Sequence, residues 1–234
     1  MPAVCFYFQV HQPYRLRRYT YFDINKSTDY FDETLNRSIM QRIAHNCYIP
    51  ANERILRCIE RSRGDFKVAF SITGTAIEQM REYAPEALES FAALARTGCV
   101  EFLGETYYHS LASLYDQREF REQVKQHSAL ILKEFRQRPK VFRNTELVYN
   151  DAIGRTVAEL GFSTIVAEGA QDVLGWRSPN FMYRVPESAT KLLLKNFKLS
   201  DDIAFRFSSG GRGGTQKLTA KVYADWLHEL HGNA

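Results

Sequence analysis

The chain of 234 residues is 44% hydrophobic and 25% charged, ordinary globular proportions that exclude a disordered or membrane-spanning class. Its surplus of positive charge is only +4, spread along the chain without a basic block, which excludes nucleic acid as the main partner. The length suits one large α/β domain, and the 16 Phe, 13 Tyr and 2 Trp supply flat side chains fit for packing or for sugar faces.

In chain order, residues 3–10 (AVCFYFQV) are dense in β-branched and aromatic residues and read as a buried first strand with a polar exit at His11, Gln12 and Pro13. Residues 14–31 show no period and read as a long loop. A broken helical stretch follows over 33–48, interrupted at Pro50 and resuming over 51–63. Residues 66–72 (FKVAFSI) predict a second strand, with Ser71, Thr73 and Thr75 at its end before Gly74 breaks it. Pro85 and Gly98 bracket a helix over 86–97.

Residues 100–104 form the third predicted strand, followed at once by Glu105, Tyr107, Tyr108 and His109. Asp116 caps a long amphipathic helix whose inner stripe carries Phe120, Val124, Ile131 and Phe135. His127 falls on that stripe and reads as a hydrogen-bonded core histidine. Lys140 to Asp151 (KVFRNTELVYND) is the central unit: Val141 and Phe142 make a strand, Arg143 to Glu146 a polar loop, and Asn150 opens a helix that Gly161 closes. Residues 163–167 form a fifth strand ending at Glu168. Beyond it come a turn-rich loop carrying Trp176, short strands over 181–185 and 191–197, then Ser200, Asp201 and Asp202. SSGGRGGTQ (208–216) reads as a flexible linker, and residues 219–231 as a closing helix.

His11, Thr73, Glu105 with His109, Glu146 and Glu168 each follow a predicted strand. Because helices alternate with strands, the sheet is expected to be parallel with right-handed crossovers, so that all these exits reach one face, as at the mouth of an α/β barrel. Glu146, just past its strand, is the candidate catalytic carboxylate. Two carboxylates with stacking aromatics suit glycosidic bond cleavage. For a second carboxylate the candidates are Asp202, Asp201, Glu105 and Glu168, and spacing does not choose among them.

Five ordered blocks carry a family resemblance: FYFQVHQPYRLR (6–17), EFLGETYYHSLASL (101–114), FRNTELVYND (142–151), AEGAQDVLGWRSPN (167–180) and NFKLSDDIAFRFS (196–208). Together they resemble glycoside hydrolase family 57, its α-amylase-like branch, over residues 3–208. The resemblance implies an incomplete (β/α)7-type parallel barrel acting with retention on α-glucans and needing no cofactor or metal. It implies Glu146 as the nucleophile and His11, Gln12, Glu105, His109, Trp176 and Asp202 as substrate-binding or cleft-lining residues. The family's general acid is an aspartate in a later block reading approximately Asp-Tyr-Glu-Thr-Phe-Gly-Glu-His, which these residues lack. A Gly-rich linker also stands where the family leads one to expect an aromatic. The expectation is therefore a barrel truncated at the C-terminus, with the barrel part at 1–207 and linker plus helix at 208–234, weakly active or inactive alone and associating through an open barrel edge. A catalytically silent glucan-binding relative is the alternative. A metal-dependent polysaccharide deacetylase is disfavoured because His109 has no histidine partner four residues on. The four cysteines show no C-x-x-C spacing and are expected to be free core thiols in a reducing compartment, and no leader or apolar run precedes the first strand, so a cytoplasmic protein is expected.

Overall fold

The structure is a computed structural model that describes residues 3–207 and 218–230. Two compact units emerge, one from Phe6–Pro139 and the other from Lys140 onward together with the start of the chain. The predicted linker over 208–216 lies outside the described residues.

The first unit is built on a three-stranded parallel sheet of β1 (Tyr7–Val10), β2 (Val68–Ile72) and β3 (Val100–Phe102), in the order β1-β2-β3. Central β2 reads VAFSI and is buried on both faces, as a covered parallel strand should be. The first strand is shorter and more open than its composition suggests. It begins at Tyr7, and as an edge strand paired to β2 it leaves Phe8 43% exposed. Aromatic rings fill the core in series: Phe91 meets Phe70 edge-on at 5.2 Å, Phe70 stacks on Phe102 at 6.2 Å, and Phe102 stacks on Phe135 at 4.0 Å.

Two helices, α1 (Glu33–Ile43) and α2 (Ile49–Arg61), follow β1. A break at Pro50 was expected, but the helical course continues through a π turn over Ala44–Tyr48, in which the Ile49 N–H reaches the Ala44 carbonyl. Pro50, which has no N–H to give, follows this widened turn directly, near the start of α2. A further helix, α3 (Gly74–Tyr83), stands where the sequence suggested only a strand end. Thr73 caps it, its hydroxyl accepting from the Ala76 N–H at 3.3 Å, and Ala76, Ile77, Met80 and Tyr83 form its buried face. The predicted α4 (Pro85–Arg96) and α5 (Gln117–Phe135, capped by Asp116) complete the unit.

Gly74 is needed for space. A Cβ there would lie 2.4 Å from the Tyr107 ring, which is held by its own hydroxyl on Glu78 (2.7 Å) and by the Gly74 N–H on its carbonyl (2.9 Å). Gly74→Ala is therefore expected to cost about 1–3 kcal/mol as overpacking, read as a lower urea midpoint. An unchanged midpoint would show that Tyr107 swings aside freely.

The second unit holds β4 (Val141–Arg143), α6 (Asp151–Glu159), β5 (Thr164–Glu168), the short α7 (Gln171–Leu174), β6 (Met182–Arg184), β7 (Lys191–Lys195), α8 (Phe197–Asp201) and α9 (Ala220–Glu229). Its sheet order is β4-β5-β7-β6. Asn150 caps α6, accepting from the Ile153 N–H at 2.8 Å, and Gly161 ends it with φ of +89°, both as the sequence predicts. The expectation of an all-parallel sheet fails at β6, which runs antiparallel to β7. Their connection is too short for a crossover and closes as a turn, with the Val185 N–H on the Thr190 carbonyl at 3.0 Å. The cysteines also differ from expectation: Cys5, Cys47 and Cys58 are exposed and Cys99 half-buried, although all four are free. In the helices, Cys47 and Cys58 occupy outward positions, where they add nothing to the core.

Candidate active site

Because β1, β2 and β3 run parallel, their exits lie at one end of the first unit, and there His11, Thr73, Glu105 and His109 gather. The His11 and His109 rings stack with centroids 4.2 Å apart and planes 24° from parallel. His11 Nδ1 lies 3.0 Å from Thr73 Oγ1, which also meets Thr75 Oγ1 at 3.1 Å. Beneath the rings Glu105 is fully buried. Its Oε1 accepts from the Ser71 hydroxyl at 2.7 Å, and its Oε2 faces His109 Nδ1 at 3.8 Å. On the outer side Gln9 Nε2 approaches His109 Nε2 at 3.5 Å. His109 itself has a left-handed backbone, φ +57°, a strain that aims its ring back toward the sheet end.

His127 is the core histidine its position on the α5 stripe predicts. The Glu105 N–H donates to its Nδ1 (3.3 Å), so its proton is on Nε2, which donates to the Ile72 carbonyl (2.8 Å). The ring thereby ties the exits of β2 and β3 together. Burial pushes His127 below its ordinary value near 6.5, against an opposing pull from the Glu105 charge. Below about pH 6.5 the unfolded chain takes up a proton that the folded ring resists, so His127 makes stability fall as pH drops and has no such effect above. Urea midpoints measured at about pH 7 and about pH 5 should show this loss, and His127→Gln should flatten that part of the slope. An unaltered slope would place the acid sensitivity elsewhere.

In the second unit, Glu146 stands on a tight loop directly after β4. Asn144, Thr145 and Leu147 around it are buried, as is Arg143, only 3% exposed, whereas Glu146 projects into solvent. The loop is built of two overlapping turns, Leu147 N–H to Asn144 carbonyl (3.0 Å) and Val148 N–H to Thr145 carbonyl (3.1 Å), braced by Asn144 Nδ2 on the Val148 carbonyl (2.9 Å). Two consecutive residues, Glu146 (φ +52°) and Leu147 (φ +58°), occupy the left-handed region. Each costs on the order of 1 kcal/mol for a residue with a Cβ, so the surrounding packing must enforce the shape.

The remaining candidates are placed less suggestively. Gln12 is occupied by Arg15 (2.7 Å) and lies 3.5 Å from the Tyr48 hydroxyl, while Tyr107 is tied to Glu78 (2.7 Å) and Tyr108 is exposed. Trp176 is 90% exposed, with the Arg177 guanidinium 5.7 Å from the centre of its ring. Asp202 is buried and paired to Arg206 at 2.7 Å. Glu168 and Asp201 both approach Lys195, at 3.5 and 4.0 Å. Gln9 and Glu78 were not foreseen; the alternation of β1 offered a signal for Gln9, whereas Glu78 is made useful only by two distant tyrosines, Tyr14 and Tyr107. Among the described residues, no group of three His, Cys, Asp or Glu is arranged to hold a metal ion, and no helix is long and apolar enough to cross a membrane.

Parallel strands that deliver imidazoles and carboxylates to their C-terminal ends are the layout of the functional face in α/β barrels. The family profile described as "Glycosyl hydrolase family 57" matches residues 5–233. A Methanocaldococcus jannaschii protein named "Putative alpha-amylase" is 44% identical over 236 residues, spanning 98% of this chain and 49% of its own length. This chain belongs to glycosyl hydrolase family 57, and it spans about half the length of that curated relative. The fold is shared with the GH57-type branching enzyme of Pyrococcus horikoshii, with a TM-score of 0.64 and 14% identity over 90% of this chain and 51% of that one. A Mycobacterium smegmatis protein described as a "putative polysaccharide deacetylase" has the same general fold, with a TM-score of 0.59 and 18% identity over 97% of this chain and 70% of that one. The fold is thus α/β, of the family's (β/α)7-barrel type.

Proposed function

We propose that the protein is a retaining glycoside hydrolase or transglycosylase acting on α-glucans, with Glu146 as nucleophile. The observation that carries the reading is the 44% identity to the α-amylase-named relative over 98% of the chain, within a family of glycosyl hydrolases. The exposed carboxylate on its enforced turn supports the role of Glu146: it would attack the anomeric carbon and form a glycosyl-enzyme intermediate that water or a sugar hydroxyl then resolves. His11 and His109 would bind sugar hydroxyls, with Trp176 as a stacking face. Gln12 and Asp202, engaged by their own neighbours, would shape the site rather than hold the sugar. Four free cysteines support a cytoplasmic setting.

These 234 residues contain no counterpart of the family's acid block. General acid catalysis contributes about a hundred- to ten-thousand-fold, so this polypeptide alone should degrade starch poorly. A nitrophenyl α-glucoside hardly needs protonation of its leaving group and should still give a burst of nitrophenolate, together with a glycosyl mass on the peptide carrying Glu146. Product chromatography on malto-oligosaccharides, with and without chelator, tests the substrate class. Chelator-sensitive release of acetate from an acetylated polysaccharide, with no labelling of Glu146, would instead favour the deacetylase reading.

A further inference from the structure

Helix α3 touches both of the segments that carry the stacked histidines. We propose that two neighbouring residues on it, Glu78 and Gln79, are positioning residues: Glu78 holds the turn that carries His109, and Gln79 holds the segment that carries His11, so that the two rings meet.

Glu78 acts through Tyr107. Gly74 and Glu78 stand one turn apart on the same face of α3, and Tyr107 lies along that face. Its carbonyl accepts from the Gly74 N–H at 2.9 Å, its ring fills the space a Cβ on Gly74 would need, and its hydroxyl donates to Glu78 Oε1 at 2.7 Å. Burial, with the Glu78 carboxylate beside it, pushes the Tyr107 phenol well above its ordinary range, so the hydroxyl keeps the proton it donates. His109 follows two residues later, in a turn closed by its own N–H on the Thr106 carbonyl (3.3 Å) and by the Ser110 N–H on Thr106 Oγ1 (3.0 Å). Tyr107 sits inside that closed turn, so a shift of Tyr107 is passed on to His109. Glu78 Oε2 also lies 3.4 Å from the Tyr14 hydroxyl, a weaker tie to the chain beyond His11.

Gln79 acts on the other side. It is fully buried, and its Nε2 donates to the Gln12 carbonyl at 2.8 Å. The Val10 carbonyl accepts from the Thr73 N–H at 3.1 Å. The backbone on either side of His11 therefore hangs from α3, at its capping residue and again in its second turn. A buried amide is costly unless it is hydrogen-bonded. Here the bond goes to the backbone beside a site histidine, on a helix whose other buried side chains include Ala76, Ile77 and Met80. Both histidines have other neighbours, Thr73 for His11 and Glu105 for His109 among them, so losing one bracket is expected to spread the rings rather than dismantle the site. That the pair serves a sugar rests on the glycosidase reading above, whereas its positioning by α3 does not.

The test is the nuclear Overhauser cross-peak between the His11 and His109 ring protons in the histidine-labelled chain, with each ring assigned by its loss in His11→Gln or His109→Gln. Rings with centroids 4.2 Å apart should give a clear cross-peak in the wild type, and its absence there would overturn the proposal at once. Glu78→Ala and Gln79→Met should each lose most of the cross-peak while the His127 signals stay in place, which reports an intact core. Should either variant fail to keep the His127 signals, Tyr107→Phe, which deletes only the phenol oxygen, and Gln79→Leu take their places. Glu78→Gln removes the charge, yet its amide can still pair with the Tyr107 hydroxyl, so it should restore the cross-peak; if it behaves like Glu78→Ala, the charge and not the Tyr107 bond is at work and the role given to Glu78 fails. A folded Glu78→Ala or Gln79→Met with the wild-type cross-peak would remove that residue from the role, and both together would end the proposal. If the variants behave as stated but no malto-oligosaccharide moves the His11 or His109 signals, the glycosidase reading of these histidines fails and the positioning role stands.

Discussion

Glu146→Gln is expected to lower turnover of α-glucans by several orders of magnitude in any active polypeptide carrying this segment, with little change in stability. Glutamine matches glutamate in shape and can keep the left-handed backbone at φ +52°, so the loop formed by Asn144, Thr145 and Val148 should persist. The amide oxygen is a far weaker nucleophile than a carboxylate, and no glycosyl-enzyme intermediate can accumulate. Steady-state rates and intact-protein mass after a short incubation with an activated glycoside are the measurements. Near-normal turnover by the purified variant would remove Glu146 from the nucleophile role. A large fall in urea midpoint with lost activity would show instead that the side chain maintains the turn.

The largest expected effect on stability is at Phe102. Its ring is wholly buried, stacked on Phe135 at 4.0 Å and on Phe70 at 6.2 Å, so it links α5 to the sheet. Phe102→Ala removes that contact and leaves a cavity walled by stiff aromatic rings that cannot easily close in, at a cost of about 3–5 kcal/mol. Chemical denaturation should show an unfolding free energy lowered by that amount, with a correspondingly lower midpoint. Because β3 ends at Phe102 and Glu105 lies just beyond, the same variant should also loosen the His11–His109 stack. A variant within about 0.5 kcal/mol of wild type would mean that the Phe91, Phe70, Phe102, Phe135 series is not cooperative.

Local chemistry made much of this legible in the sequence. The caps at Asp116 and Asn150, the proline opening α4 and the glycine closing α6 are decided within about four residues, and each stands where its residue type requires. The position of Glu146 immediately after a strand, and the ordered blocks that mark the family, are likewise properties of the chain read in a line. Tertiary structure decided what depends on residues far apart. Ser71 meets Glu105 across 34 positions, and Gln9 approaches His109 across 100. Nothing local announces that Glu105 is fully buried, that His109 stacks on His11, or that Tyr107 needs a glycine at 74. The strand-like text around Thr73 hid α3 because its buried face is recognised only once a core exists to receive it. Likewise β6 runs antiparallel because its connection to β7 is too short for a crossover. Periodicity and caps are short-range signals; tautomers, burial and strand direction arise where separate segments pack, since the energy that fixes them exists only after the chain has folded.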